Sequence, residues 1–262
     1  MDQDTPNPLA AGTLSLEAWH ARFCQQAGWT RDLRQYLYGR AGLSEARRVL
    51  EVGCGTGVVT ADLAACSQAA VHGLDFDLRH LRFARQQDIA AQFACGEAPA
   101  LPYASGVFDF TCCHFLLLWV PGPGAALAEM RRVTRQGGVV LALAEPDYGG
   151  RIDYPPELAP LGQWQRDALK RQGADPEMGR KLGSLLRRAG LQSVETGLLG
   201  GQWGPTPSAE ARASEWAMLQ ADLEPTAAPE TLQQLQALDE AAWQRGERVL
   251  FVPTFYAWGR VS

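Results

Sequence analysis

Three glycines at alternate positions, Gly53, Gly55 and Gly57, close the run Val49-Leu50-Glu51-Val52-Gly53-Cys54-Gly55-Thr56-Gly57, where an apolar strand pattern passes into a helical one. The chemistry open to such a turn is ligand holding, because glycine lacks a Cβ and lets a small molecule approach the backbone closely. A pyrophosphate-binding turn has the spacing G-x-G-x-x-G, which would put the third glycine at Val58; here it falls one residue early. Glu51, just before the turn, is an awkward neighbour for a pyrophosphate and a sensible one for a ligand carrying an ammonium group. Asp75 lies 22 residues after Gly53, matching the distance of about 20 at which an acid meets ribose hydroxyls in dinucleotide folds. Asp77 sits better than Asp75 to cap a helix from Leu78, which leaves Asp75 free. Gly96-Glu97-Ala98 follows the third apolar run, and His114 ends the fourth. An imidazole there has a suitable ordinary pKa for a general base, and a packing or helix-entry histidine is the alternative.

These residues need a sheet that brings strand ends to one edge. Short apolar runs at Val49–Val52, Ala70–Leu74, Ala90–Ala94, Phe108–Cys113 and Val139–Ala144 alternate with helical patterns at Val58–Ala65, Leu78–Gln87 and Ala125–Thr134. That alternation predicts a doubly wound α/β fold with a mostly parallel sheet and helices on both faces, whose ligands bind beyond the carboxyl ends of the strands. Two helices precede it, Leu16–Ala27 and Arg31–Arg40, with Ser15 and Thr30 as N-cap candidates. After Glu145 a Pro- and Gly-rich stretch and a helix over Leu161–Arg171 read as an insertion. A helix over Glu177–Ala189 closed by Gly190, a strand over Leu191–Leu199, helices from Ser208 to Arg245 broken around Pro225 and Pro229, and a last strand over Arg248–Val261 complete the pattern. The organisation expected is a flexible start over 1–12 and one domain over 13–262. Within it 13–47 is a helical cap, 48–146 the ligand-binding core, 147–176 an insertion, 177–204 and 247–262 the rest of the core, and 205–246 a helical insertion. Cap and insertions together would form a lid.

Taken in order, these motifs resemble the class I methyltransferase family of small-molecule type, over about Arg48 to Pro146. Leu101-Pro102-Tyr103, Gly106-Val107-Phe108-Asp109-Phe110 and Met130-Arg131-Arg132-Val133-Thr134-Arg135-Gln136-Gly137-Gly138 are similar to the family's later segments. The resemblance implies a seven-stranded Rossmann-like sheet and S-adenosyl-L-methionine as cofactor. It also implies that Glu51, Gly53, Cys54, Gly55 and Gly57 cradle the methionine part, Asp75 the ribose, Phe76 the adenine face, and Glu97 with the Ala98 backbone the adenine edge. Cys113 joins that set, and Arg34 is expected either to reach the cofactor carboxylate or to lie on a solvated helix face. Many relatives carry a His shortly after the fourth strand where this chain has Leu117-Leu118-Trp119, so no catalytic role carries over to that place. Trp19, Tyr38, Tyr148, Arg151 and Trp203 are the expected substrate contacts, since aromatic faces suit an apolar, aromatic or cationic small molecule.

The reaction expected is in-line transfer of the methyl group to a small-molecule acceptor, with positioning and desolvation as the main contribution. The alternatives are a noncatalytic cofactor-binding module and a methyltransferase acting on a protein or nucleic acid. A net charge of -5 over 262 residues disfavours a broad nucleic-acid footprint. The start lacks a signal-peptide pattern and no run is apolar enough to span a bilayer, so the expectation is a cytoplasmic monomer or homodimer without membrane contact. Six scattered cysteines without a C-x-x-C pair or a nearby His predict reduced, buried thiols and no metal.

Overall fold

The computed structural model describes residues 15–198, 207–224 and 227–262; the expected flexible start and Trp203 lie outside them. In chain order the elements are α1 (Leu16–Trp29), α2 (Arg31–Ala41), β1 (Arg48–Val52), α3 (Val58–Ala65), β2 (Ala70–Asp75), α4 (Leu78–Gln86) and β3 (Ala91–Cys95). There follow β4 (Phe108–Cys113), α5 (Pro123–Val133), β5 (Thr134–Pro146), β6 (Ile152–Tyr154), α6 (Ala159–Arg171), α7 (Leu182–Arg188) and β7 (Gln192–Leu198). The last are α8 (Ala209–Leu223), α9 (Pro229–Gln244), β8 (Val249–Phe251) and β9 (Thr254–Arg260). They fall into two compact units, a larger one over 13–145, 178–199 and 254–262, and a smaller one over 146–177 and 200–253.

The larger unit holds a seven-stranded sheet in the order β3-β2-β1-β4-β5-β9-β7. Strands β3, β2, β1, β4 and β5 run parallel, and β7 is antiparallel to β9. In β1 every residue after Arg48 is buried, as expected of a strand covered on both faces, which is why it reads as an apolar run interrupted only by Glu51. Its core joins Leu37, Leu43, Val49, Leu63, Val71, Phe110, Leu141 and Leu143. Local signals set the helix starts: Ser15 accepts from the Ala18 amide and Asp77 from the Arg79 amide. Thr30 makes no side-chain cap to α2; its hydroxyl is engaged elsewhere, as described below.

Three sequence expectations are corrected. The last strand is split at Pro253, which has no N–H to give a ladder: β8 pairs antiparallel with β6 in a separate two-stranded sheet of the smaller unit, and only β9 enters the main sheet. β5 begins at Thr134, before the Gly-Gly pair, so the expected turn is an irregularity inside the strand. A Cβ on Gly138 would meet the Asp109 carbonyl at 2.8 Å, so only glycine lets the two strands pass there. The helix expected over Glu177–Ala189 starts only at Leu182. The expected insertions, 147–176 and most of 205–246, fall in the smaller unit, whose core is built on Leu158, Leu161, Trp216, Leu223 and Leu232.

Candidate functional site

The register of the parallel strands puts Val52 beside Leu74 and Cys113, and Asp75 beside Cys95. Gly53, Asp75 and Phe76, Gly96-Glu97 and His114 therefore leave the sheet at one edge, where β1 and β4 diverge to opposite sides. This is the switch point of a doubly wound sheet, the general place for a ligand.

The glycine loop joins β1 to α3 through three left-handed residues, Gly53 (φ 76), Gly55 (φ 53) and Gly57 (φ 86). A Cβ on Gly53 would lie 2.6 Å from Leu116 Cδ1, on Gly55 2.9 Å from the Phe23 ring, and on Gly57 2.8 Å from Ile89 Cδ1. The direction in which each Cβ would point is thus taken by this chain's own side chains. The loop amides are also engaged. Gly53 and Cys54 donate to the Leu74 carbonyl at 2.7 and 2.9 Å, and Gly57 to the Cys54 carbonyl at 2.9 Å. Gly55 donates to Asp75 Oδ2 at 2.8 Å. A pyrophosphate needs such amides pointed at it, so this loop is poorly suited to a dinucleotide.

Two acids flank the loop. Glu51 is 2% exposed and accepts from the Thr60 hydroxyl. Burial pushes its carboxyl up to about 8, against the Thr60 hydrogen bond and the Arg34 charge, with Asp75 and Asp62 adding to the rise. A buried carboxyl held largely protonated is a latent anion, stabilised in its charged form once a cation is placed beside it. Asp75 is 6% exposed; its Oδ1 accepts from the Asp77 amide at 2.9 Å while Oδ2 holds Gly55. Phe76, next in the chain, is about half exposed, and Glu97 is exposed.

Residues 50–142 match the model of the methyltransferase domain. The matched stretch, about a third of the chain, is similar to a methyltransferase domain. The chain is 37% identical over 124 residues to a demethylmenaquinone methyltransferase of Renibacterium salmoninarum, covering 47% of this chain and 52% of the relative. A malonyl-[acyl-carrier protein] O-methyltransferase of Erwinia pyrifoliae is 35% identical over 117 residues, 45% of this chain and 44% of the relative. The chain spans about half the length of the curated relatives it matches. Phosphoethanolamine N-methyltransferase 2 of Haemonchus contortus, solved in complex with S-adenosyl-L-methionine, shares the fold at a TM-score of 0.53 and 15% identity, over 82% of this chain and 49% of that one.

The other expected site residues divide sharply. His114 stands at the site edge, but its Nε2 is 2.8 Å from Thr30 Oγ1 and its ring lies edge-on to Phe115. Burial, then the Arg34 charge, depresses its pKa to about 3. A base that weak is a poor proton acceptor at neutral pH, which favours the packing reading over the general base. Arg34 is 3% exposed and donates to Asp62 Oδ2 at 2.9 Å, the Ala27 carbonyl at 2.5 Å and Thr30 Oγ1 at 2.7 Å. It is neither on a solvated face nor reaching outward; it locks the end of α1 to α3. Tyr38 is a core residue whose hydroxyl donates to Asp62, so it is unavailable to a substrate. Cys54 and Cys113 are buried with their thiols pushed well up by burial, leaving only their backbone for a ligand. Trp19 is partly buried against Phe23.

Tyr148 and Arg151 belong to the smaller unit. The Tyr148 amide donates to the Pro176 carbonyl at 2.8 Å. The Arg151 guanidinium grips both oxygens of Asp153, at 2.7 and 3.0 Å, and donates to Gln165. Arg248 bridges Asp153 to Asp239, which accepts from Trp216 Nε1 at 2.8 Å. Arg151 is therefore a strut of this buried network rather than a free substrate contact. The sequence reading missed Thr56, fully buried with Oγ1 2.9 Å from His20 Nδ1, together with Phe23 and Leu116 on the glycines and Glu145 at the end of β5. Thr56 had a signal, its place inside the glycine run. The others depend on long-range contacts. Among the described residues no group of His, Cys, Asp and Glu could hold a metal, and no helix is long and apolar enough to cross a membrane.

Proposed function

We propose that this protein is an S-adenosyl-L-methionine-dependent methyltransferase that alkylates a small-molecule acceptor by in-line displacement. The observation that carries the reading is the pair of buried acids at the switch point, Glu51 beneath the glycine loop and Asp75 on its Gly55 amide. The donor set fits the cofactor: a latent anion at Glu51 for an ammonium, the Asp75 carboxylate, each oxygen of which accepts one backbone amide, for ribose hydroxyls, the exposed face of Phe76 for adenine, and Glu97 with the Ala98 backbone for its edge. When bound, the cofactor supplies a methyl group on a sulfonium and a neutral thioether leaving group. The protein's part is to orient and to exclude water, since His114 is too weak a base to activate a hydroxyl or ammonium at neutral pH. An acceptor already nucleophilic, such as a neutral amine, a thiolate or an activated carbon, suits this edge best.

The named relatives act on demethylmenaquinone and on malonyl-acyl-carrier protein, which supports a small acceptor group. The test is calorimetry with S-adenosylhomocysteine and with NAD, followed by product detection with a panel of amine, thiol and activated-carbon acceptors. Micromolar binding of S-adenosylhomocysteine with none of NAD is expected. Preferential binding of NAD would refute the assignment, and cofactor binding without turnover on any acceptor would favour a noncatalytic module.

A further inference from the structure

The segment after β4 carries Leu116 to the glycine loop, yet it is an irregular turn with a strained entry: Phe115 has φ 48, in the left-handed region that side-chain-bearing residues seldom adopt. Something must hold it. The Phe115 amide donates to the Ala144 carbonyl at 2.9 Å, and the next three amides all converge on one side chain. Glu145, fully buried, receives Leu116 N at 2.9 Å and Leu117 N at 2.7 Å on Oε1, and Leu118 N at 3.2 Å on Oε2. The turn then closes on itself through Trp119 N to Leu116 O at 2.9 Å. A carboxylate is the side chain that can accept from three amides without presenting a donor to any of them.

We propose that Glu145 is a positioning residue for methyl transfer: its carboxylate clamps the turn 116–119 and thereby sets Leu116 against Gly53, fixing one wall of the glycine loop. This rests on the methyltransferase reading above. Leu116 Cδ1 sits 2.6 Å from where a Cβ of Gly53 would be, so a displaced turn cannot leave the loop wall unchanged. A glutamine at 145 keeps one acceptor oxygen for Leu116 and Leu117 but turns an NH2 toward the Leu118 amide, donor against donor.

The test combines amide hydrogen exchange with the 13C resonance of methyl-labelled S-adenosylmethionine. In the wild-type protein the Leu116–Leu118 amides should be protected at least 100-fold over open peptide; exchange at the open-peptide rate would overturn the clamp without any variant. Glu145→Gln should lower protection at Leu118 by at least tenfold and displace or broaden the bound methyl resonance. Affinity for S-adenosylhomocysteine should stay within about threefold. Leu141→Ala, a buried change in the same strand, controls for mere loss of stability and should leave the resonance where it is. A bound methyl signal that Glu145→Gln leaves unmoved reduces Glu145 to a structural role and sinks the positioning proposal alone. Absence of any bound signal in the wild type would instead sink the cofactor reading, and the positioning role with it.

Discussion

Replacing Glu51 by glutamine removes one titrating proton from the centre of the site while keeping size and hydrogen-bonding capacity. In the folded protein the Glu51 carboxyl is raised from 4.5 to about 8, chiefly by burial. A folded pKa above the unfolded one means that its contribution to stability is fully present below about pH 4.5 and is lost as pH rises through 8. Between pH 5.5 and 7.5 the unfolded chain has given up this proton and the folded chain has not. At about 1.4 kcal/mol per pH unit, the wild type should lose roughly 3 kcal/mol relative to Glu51→Gln over that interval. Urea unfolding of both proteins at the two pH values, followed by tryptophan fluorescence, measures the difference; other groups titrate in both and cancel. A ligand ammonium beside Glu51 should expel the same proton. Binding of S-adenosylhomocysteine near pH 7 should therefore release up to one proton in the wild type and markedly less in the variant, read from calorimetry in two buffers of different ionisation enthalpy. Stability curves that run parallel with pH would refute the argument from burial, and proton release that is equal in the two proteins would refute the pairing with an ammonium.

Asp75→Ala strips the acceptor from the Gly55 and Asp77 amides and should weaken S-adenosylhomocysteine binding at least tenfold, checked by titration, with a stability loss of about 1–3 kcal/mol. Gly55→Ala forces a side-chain-bearing residue to φ 53 against the Phe23 ring and should cost roughly 2 kcal/mol or more, a loss that Gly55→Ala combined with Phe23→Leu should partly restore in thermal melts. Thr30→Val leaves His114 Nε2 and one Arg34 N–H without their shared hydroxyl; about 1–3 kcal/mol of destabilisation is expected in urea titrations. Arg248→Met removes the buried cation that joins Asp153 to Asp239 inside the smaller unit and should cost about 3–5 kcal/mol, seen as earlier proteolysis within 146–177 and 207–253.

The central strands were legible because both faces of a parallel sheet are covered, so β1 and β4 read as apolar runs bounded by turn residues. β6 was not, because the three residues Ile152–Tyr154 carry no periodicity, and β8 was read as one strand with β9 because its pairing with β6 rests on a contact about a hundred residues away. Glu51, Asp75 and Asp77 could be placed from position alone, since strand ends in a parallel sheet share an edge. Roles that depend on partners could not. Thr30 has the type and place of an N-cap, but His114, 84 residues on, and Arg34 take its hydroxyl. Arg151 and Tyr38 have the chemistry of substrate contacts, and only the fold reveals that Asp153 and Asp62 already hold them.

The place of β9 in the sheet bears on how the chain is made. β7 bonds within the main sheet only to β9, while β9 is itself seated between β5 and β7 and comes 55 residues after β7 ends. At roughly 5–20 residues per second, a ribosome would leave β7 without its neighbour for about 3–11 s. During that time the free border of β5 is a template for any passing strand. Chaperone demand during synthesis should therefore concentrate on this border, and a nascent chain stalled before Thr254 should be more prone to aggregate than one in which β9 has been added.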